Sequence, residues 1–133
     1  MQGNPAYKMG INAYQSVQKE SMSGRETEAR VLSTAALKLR KCQENWGSKT
    51  HRTELEKAFE YNHQIWSIFQ AELTKPDHPM DKELRQNILS LSVFIEGMIY
   101  DTRAYPDPEK LTAIININNG LAAGLRTSPA RVQ

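Results

Sequence analysis

Four stretches of this chain repeat apolar residues at helical spacing, and three of them set a polar residue within the apolar stripe itself. In the clearest, Leu55, Phe59, Trp66, Phe69 and Leu73 recur at that spacing. At ~100° per residue, Asn62 projects into the centre of the stripe they form. An amide buried among apolar side chains has to find hydrogen-bond partners, because removing it from water unpaired is costly. The pattern therefore predicts an all-α fold, a single-domain bundle of about four amphipathic helices, in which a few polar contacts are placed deliberately.

The 133 residues suffice for one domain with a core of its own, and a hydrophobic fraction of 39% sits on the soluble side of globular usage. Lys and Arg total 17 against 15 Asp and Glu, a formal net charge of +2. That balance is too even to draw the chain to nucleic acid or membrane by bulk electrostatics. The single cysteine, Cys42, excludes an internal disulfide framework, fits a reducing compartment, and reads as a small core hydrophobe on a helix. No apolar run reaches the length that spans a bilayer, and the amino end has no basic segment followed by an apolar one. The expectation is a cytoplasmic protein with no membrane association.

Residues 1–20 are polar, with Gly3, Pro5 and Gly10 and only scattered apolar anchors, so a flexible N-terminal arm is expected there. Ile11, Tyr14 and Val17 share one side of a short amphipathic turn within it, suited to docking on the body or on a partner. Ser23 and Glu26 form a capping box, and Leu32, Ala35, Ala36, Leu39 and Cys42 then keep register, placing a first helix over about 24–45. Gly47 and Ser48 break it. Thr53 with Glu56 offers a second box at the start of a helix that ends near Lys75, ahead of Pro76 and Pro79. Asp107, Pro108 and Glu109 supply a cap, a first-turn proline and an acid at the positive end of the macrodipole, opening a fourth helix that reaches about Leu125. The bundle is expected over 21–126, with a disordered tail over 127–133.

The third helix, about Met80 to Arg103, is apolar on two sides. Leu84, Ile88, Leu91, Ile95, Met98 and Ile99 build one face; Leu89, Val93, Gly97 and Tyr100 build another roughly opposite. Two apolar faces demand two coverings. A central position in the bundle is the simplest answer, and the alternative leaves one face for another protein.

Asn118 repeats the pattern of Asn62, falling within the stripe of Leu111, Ile114, Leu121 and Leu125. Glu28 lies on the same side as Leu32 and Leu39. Either these groups stay partly hydrated near helix ends, or Glu28, Asn62 and Asn118 form a structural polar core, a shared network that fixes helix order and register.

No catalytic, cofactor or metal site emerges. Glu60 and His63 have the Glu-x-x-His spacing of di-iron bundles, but no second copy exists to complete a site. His51 and His78 lie in polar, turn-rich segments without a cysteine pair, and there is no phosphate-binding glycine loop or nucleophile elbow. An enzyme is not expected. Arg25, Arg30, Lys38, Arg40, Lys41 and Lys49 make the first helix and its exit fairly basic, which raises RNA binding as a rival function. Glu26, Glu28 and Glu44 dilute that charge, and no aromatic RNA-recognition motif accompanies it.

The order Ala13-Tyr14-Gln15, then Arg25-Glu26-Thr27-Glu28-Ala29-Arg30, then Asn62 ahead of Ile65-Trp66, then Leu84-Arg85-Gln86-Asn87-Ile88 with Leu91-Ser92, and finally Ile117-Asn118 before Gly120-Leu121 resembles the FlaF family of alphaproteobacterial flagellar proteins. The likeness spans residues 11 to 125 and rests on order and spacing, since no single string is specific. It implies a small helical cytoplasmic protein without enzymatic activity or cofactor. Such a protein would bind flagellin as a secretion chaperone or regulator and promote its production and export alongside FlbT, which acts on flagellin messenger RNA. The alternative function in this setting is an RNA-binding post-transcriptional regulator of that message. Flagellin's terminal regions form amphipathic helices that must stay unpaired before export, so a helical protein offering an apolar surface suits the task. The second face of the third helix, Leu89, Val93, Gly97 and Tyr100, or the arm around Tyr14, is the expected partner-binding surface.

Overall fold

A computed structural model describes residues 21–127, with side chains from residue 24 onward. The expected arm over 1–20, Tyr14 included, and the tail from residue 128 lie outside the described residues. Four helices fill the described chain: α1 (Ser21–Glu44), α2 (His51–Leu73), α3 (Lys82–Ala104) and α4 (Lys110–Thr127). Thr127, expected at the start of the tail, is the last residue of α4. The fold is all-α, as the apolar periodicity predicts.

Local chemistry explains where each helix stops. Gly47 takes a positive φ of 88°, which an L side chain rarely adopts, and turns the chain out of α1. The box anticipated at Thr53 and Glu56 does not open α2. That helix begins at His51 after an N-cap Thr50 whose side chain makes no capping bond, and Glu56 instead accepts three hydrogen bonds at 3.0–3.3 Å from the Arg103 guanidinium of α3. At the far end of α2, Arg85 donates to the Lys75 and Met80 carbonyls, both at 3.1 Å, and so ties off the proline turn. Asp81 caps α3 by accepting from the Glu83 and Leu84 amides at 3.1 and 3.3 Å. Asp107 starts α4, its Oδ1 accepting from the Glu109 amide at 3.0 Å while the next amides bond three residues back.

Short connections make successive helices antiparallel neighbours. α1 packs on α2, α2 on α3, α3 on α4, and α4 closes the ring along α1. The α1–α4 pairing is the most extensive and is pinned at both ends. Gln43 donates to the Pro108 carbonyl at 2.8 Å and to Thr112 at 2.9 Å, and Arg126 reaches Glu26 at 3.4 Å and Ser33 at 3.2 Å.

The core gathers Leu32, Leu39, Phe59, Trp66, Ile95, Ile99, Leu111 and Ile114 from all four helices, each essentially withdrawn from solvent. The helix expected at the centre of the bundle is instead at its edge. α3 buries Ile88, Ser92, Ile95, Ile99 and Thr102 along one side and leaves Val93, Phe94, Gly97 and Tyr100 exposed on the other. The reason is geometric: four helices packed in a ring each have an outer side. Two apolar faces on one helix do not determine how many neighbours it has.

Candidate functional site

Two features stand apart from ordinary packing: a chain of buried hydrogen bonds through the core, and a charge-poor outer stretch on α3 and α4.

The buried chain runs from α2 to α4 and back to α1. Trp66 Nε1 donates to Asn118 Oδ1 at 2.9 Å, Asn118 Nδ2 donates to Asn62 Oδ1 at 2.7 Å, and Asn62 Nδ2 reaches the carbonyls of Ala58 at 2.9 Å and Ala35 at 3.3 Å. An indole can only donate, so the atom facing it on Asn118 must be the oxygen; each following amide orientation is then forced. Both asparagines are 0% exposed. This is a unidirectional relay that joins three helices and works only at one relative register.

Glu28 stands outside this relay. It is half-buried on α1 and makes no hydrogen bond to either asparagine. Burial pushes its carboxyl up to about 7, with Glu72 adding to the rise and Arg25 opposing it. Spacing put Glu28 on the correct side of its helix but could not tell its height along the bundle axis. Trp66 was assigned to the apolar stripe, and its role as the donor that orients the relay was missed; an indole beside two inward amides is the signal.

The outer surface joins residues that spacing singled out with others that it did not. Val93 is 67% exposed and Tyr100 77%, with Gly97 open between them; Phe94 adds a further apolar side chain at 46%. Leu89, expected on the same face, is half-buried and packs against the core. Charge is sparse around them: the nearby Glu96 and Arg103 pair with α2 and Asp101 pairs with Lys110 of α4. From Gln86 to Ile95 on α3, and from Leu111 to Leu125 on α4, no residue carries a formal charge. The outward sides of α1 and α2 are the opposite, with Arg30, Arg40, Lys41 and Glu44 on one and Arg52, Glu54, Glu56 and Lys57 on the other, all exposed. An apolar, charge-depleted patch beside a charged remainder is the composition of a protein contact surface.

The polar groups that sequence spacing raised as candidate chemistry are, among the described residues, engaged elsewhere or apart. The histidine of the Glu-x-x-His pair turns to α3, His63 Nδ1 lying 2.8 Å from Glu96 Oε2, while Glu60 accepts from Gln64. No cluster of His, Cys, Asp and Glu among the described residues could hold a metal ion. A cleft of about 540 Å³ opens between α1 and α2, and there Cys42 and His51 share a wall although the sequence keeps them apart. They make no hydrogen bond, His51 Nδ1 being buried without a partner, and burial, reinforced by Glu54, pushes the Cys42 thiol up. That is the opposite of an activated nucleophile. No helix of the described residues is long and apolar enough to cross a membrane.

The family model for flagellar protein FlaF matches residues 10–125, a span that takes in every described helix nearly to the end of α4. No curated protein and no solved structure matches the chain. Covering most of the sequence, the family match identifies this four-helix chain as a member of the FlaF family of flagellar proteins.

Proposed function

We propose that this FlaF-family protein binds flagellin through the outer face of α3, shields it before export, and so promotes its production and secretion in concert with FlbT. The observation that carries this reading is the exposed, uncharged stripe of Val93, Phe94, Gly97 and Tyr100 on a helix whose opposite side already forms core. An amphipathic segment laid on such a face loses its own apolar surface to the contact, which is what keeps a polymerising subunit from premature association. Binding of this kind makes and breaks no covalent bond, so neither catalytic group nor cofactor is required. RNA binding is the weaker rival, because the basic residues of α1 are interleaved with acids, and Arg30 and Arg126 are both engaged with Glu26.

Val93→Asp tests the reading. Val93 lies largely in solvent, so the variant keeps the helical circular dichroism and melting profile of the parent while losing co-elution with flagellin on size exclusion. Retained co-elution refutes the α3 face as the contact. The parent protein mixed separately with FlbT and with flagellin leader RNA gives the accompanying comparison, and a complex with RNA alone would favour the rival.

A further inference from the structure

The seam between α2 and α3 is built on a different plan from the rest of the bundle. Along α2, Glu56, Phe59, His63, Trp66, Gln70 and Leu73 recur at alternating steps of three and four residues, the spacing of a contact line between two helices. Phe59, Trp66 and Leu73 are buried in the core. The polar residues set between them all reach across to α3 instead. Glu56 Oε1 accepts from Arg103 Nη2 at 3.0 Å, His63 Nδ1 lies 2.8 Å from Glu96 Oε2, and Gln70 Nε2 donates to Ser92 Oγ at 2.8 Å. Each heptad of this seam therefore sets one polar rung beside one apolar layer.

Such rungs fix register more than they hold. All four side chains of the Glu56–Arg103 and His63–Glu96 pairs are at least a third exposed, so water competes for them and little net attraction remains. The apolar contact is also narrow. α3 buries Ile88, Ser92, Ile95, Ile99 and Thr102, and both hydroxyls among these donate to their own helix, Ser92 to the Leu89 carbonyl and Thr102 to the Met98 carbonyl, each at 2.6 Å. Its ion pair to α4, Asp101 with Lys110 at 2.9 Å, sits beside the connection at the end of the helix. The buried relay, by contrast, joins α1, α2 and α4 and takes no group from α3.

We infer that α3 is a latch: it releases as a unit from α1, α2 and α4, which stay joined by the relay, and so uncovers the apolar side of α2 that carries Phe59 and Trp66. Arg103 lies over the Phe59 ring, 5.4 Å from its centroid, which marks this side as the one that α3 covers. Most of a helix's stability within a protein comes from packing, so a released α3 loses the protection of its amides. The latch belongs to the bundle itself and does not depend on flagellin being the partner.

Native-state hydrogen exchange on the full chain at low urea concentrations tests this. After correction for intrinsic rates, the amides of Ile95 and Ile99 should exchange at least about tenfold faster than those of Phe59, Trp66 and Ile114, and with a weaker urea dependence, because releasing one helix exposes less surface than unfolding four. Asn118→Ala separates the two events. It weakens the closed and released forms alike against the unfolded chain, so exchange at Phe59, Trp66 and Ile114 should quicken roughly tenfold while that at Ile95 and Ile99 stays within about twofold of the parent. One common rate scale and urea slope for all four helices in the parent refutes the latch, and that measurement decides alone if the variant does not fold. Equal quickening of α3 in Asn118→Ala refutes it as well, since the bundle would then open only as a whole.

Discussion

Asn62 and Asn118 show how much one side chain can fix. Each is positioned by the other, and Trp66 sets the direction of the whole relay. Asn62→Ala or Asn118→Ala strands a buried partner and should cost ~1–3 kcal/mol, read as a lower urea midpoint at unchanged slope. The double variant should cost less than the sum, because both singles remove the same bond. Strict additivity would mean that the two amides act separately. Glu28 gives a second test at this scale. A carboxyl raised to about 7 in the folded protein holds its proton where the unfolded chain, near its ordinary value of 4.5, has lost it. Its contribution is therefore fully favourable below about 4.5 and is lost as pH climbs to about 7. Glu28→Gln should flatten that decline and add ~1–2 kcal/mol at pH 8, the half-buried position tempering the full ~1.4 kcal/mol per pKa unit. An unaltered pH profile in the variant would assign the slope to other groups.

The helices themselves were largely legible as elements. Apolar spacing locates all four, Asp107 and Pro108 mark the start of α4, and Asn62 and Asn118 fall where ~100° per residue puts them. What spacing could not supply was relation between elements. It gives a direction around one helix axis, so it could not separate a helix surrounded by others from one at the rim, nor set Glu28 at the level of the asparagines. The box assigned to Thr53 and Glu56 does not form because α2 already begins at His51, which leaves Thr53 inside the first turn and Glu56 free to accept from Arg103. The uncharged run on α4 was visible in the sequence, but its meaning depended on knowing which side faces outward. Arg85 is a further case, invisible until the turn after α2 is folded around it. Because it satisfies carbonyls left over where α2 ends, Arg85→Ala should lower Tm by several degrees and speed amide exchange first around Leu73 to Met80. Uniform protection across the bundle would show that this turn is held by its prolines instead.

At the scale of the whole molecule, charge is spread unevenly over the described residues: α1 and α2 carry it along their length, whereas the stretch from Gln86 to Ile95 on α3 and from Leu111 to Leu125 on α4 forms a neutral side. That asymmetry predicts the salt response. A complex formed over the neutral side should hold its affinity within about threefold between 50 and 500 mM NaCl, because few counterions are released there. Binding through α1 and α2 to RNA would instead collapse steeply over the same range. Fluorescence anisotropy with labelled flagellin decides between them, and the bundle makes such labelling simple. The lone Cys42 is buried between α1 and α2 with its thiol pushed up, so it should react with maleimides more slowly than an exposed thiol at neutral pH. A cysteine introduced at an exposed site such as Ala71 or Ala123 should take a single dye without any need to remove the native one, leaving an intact molecule ready to serve as its own molecular ruler.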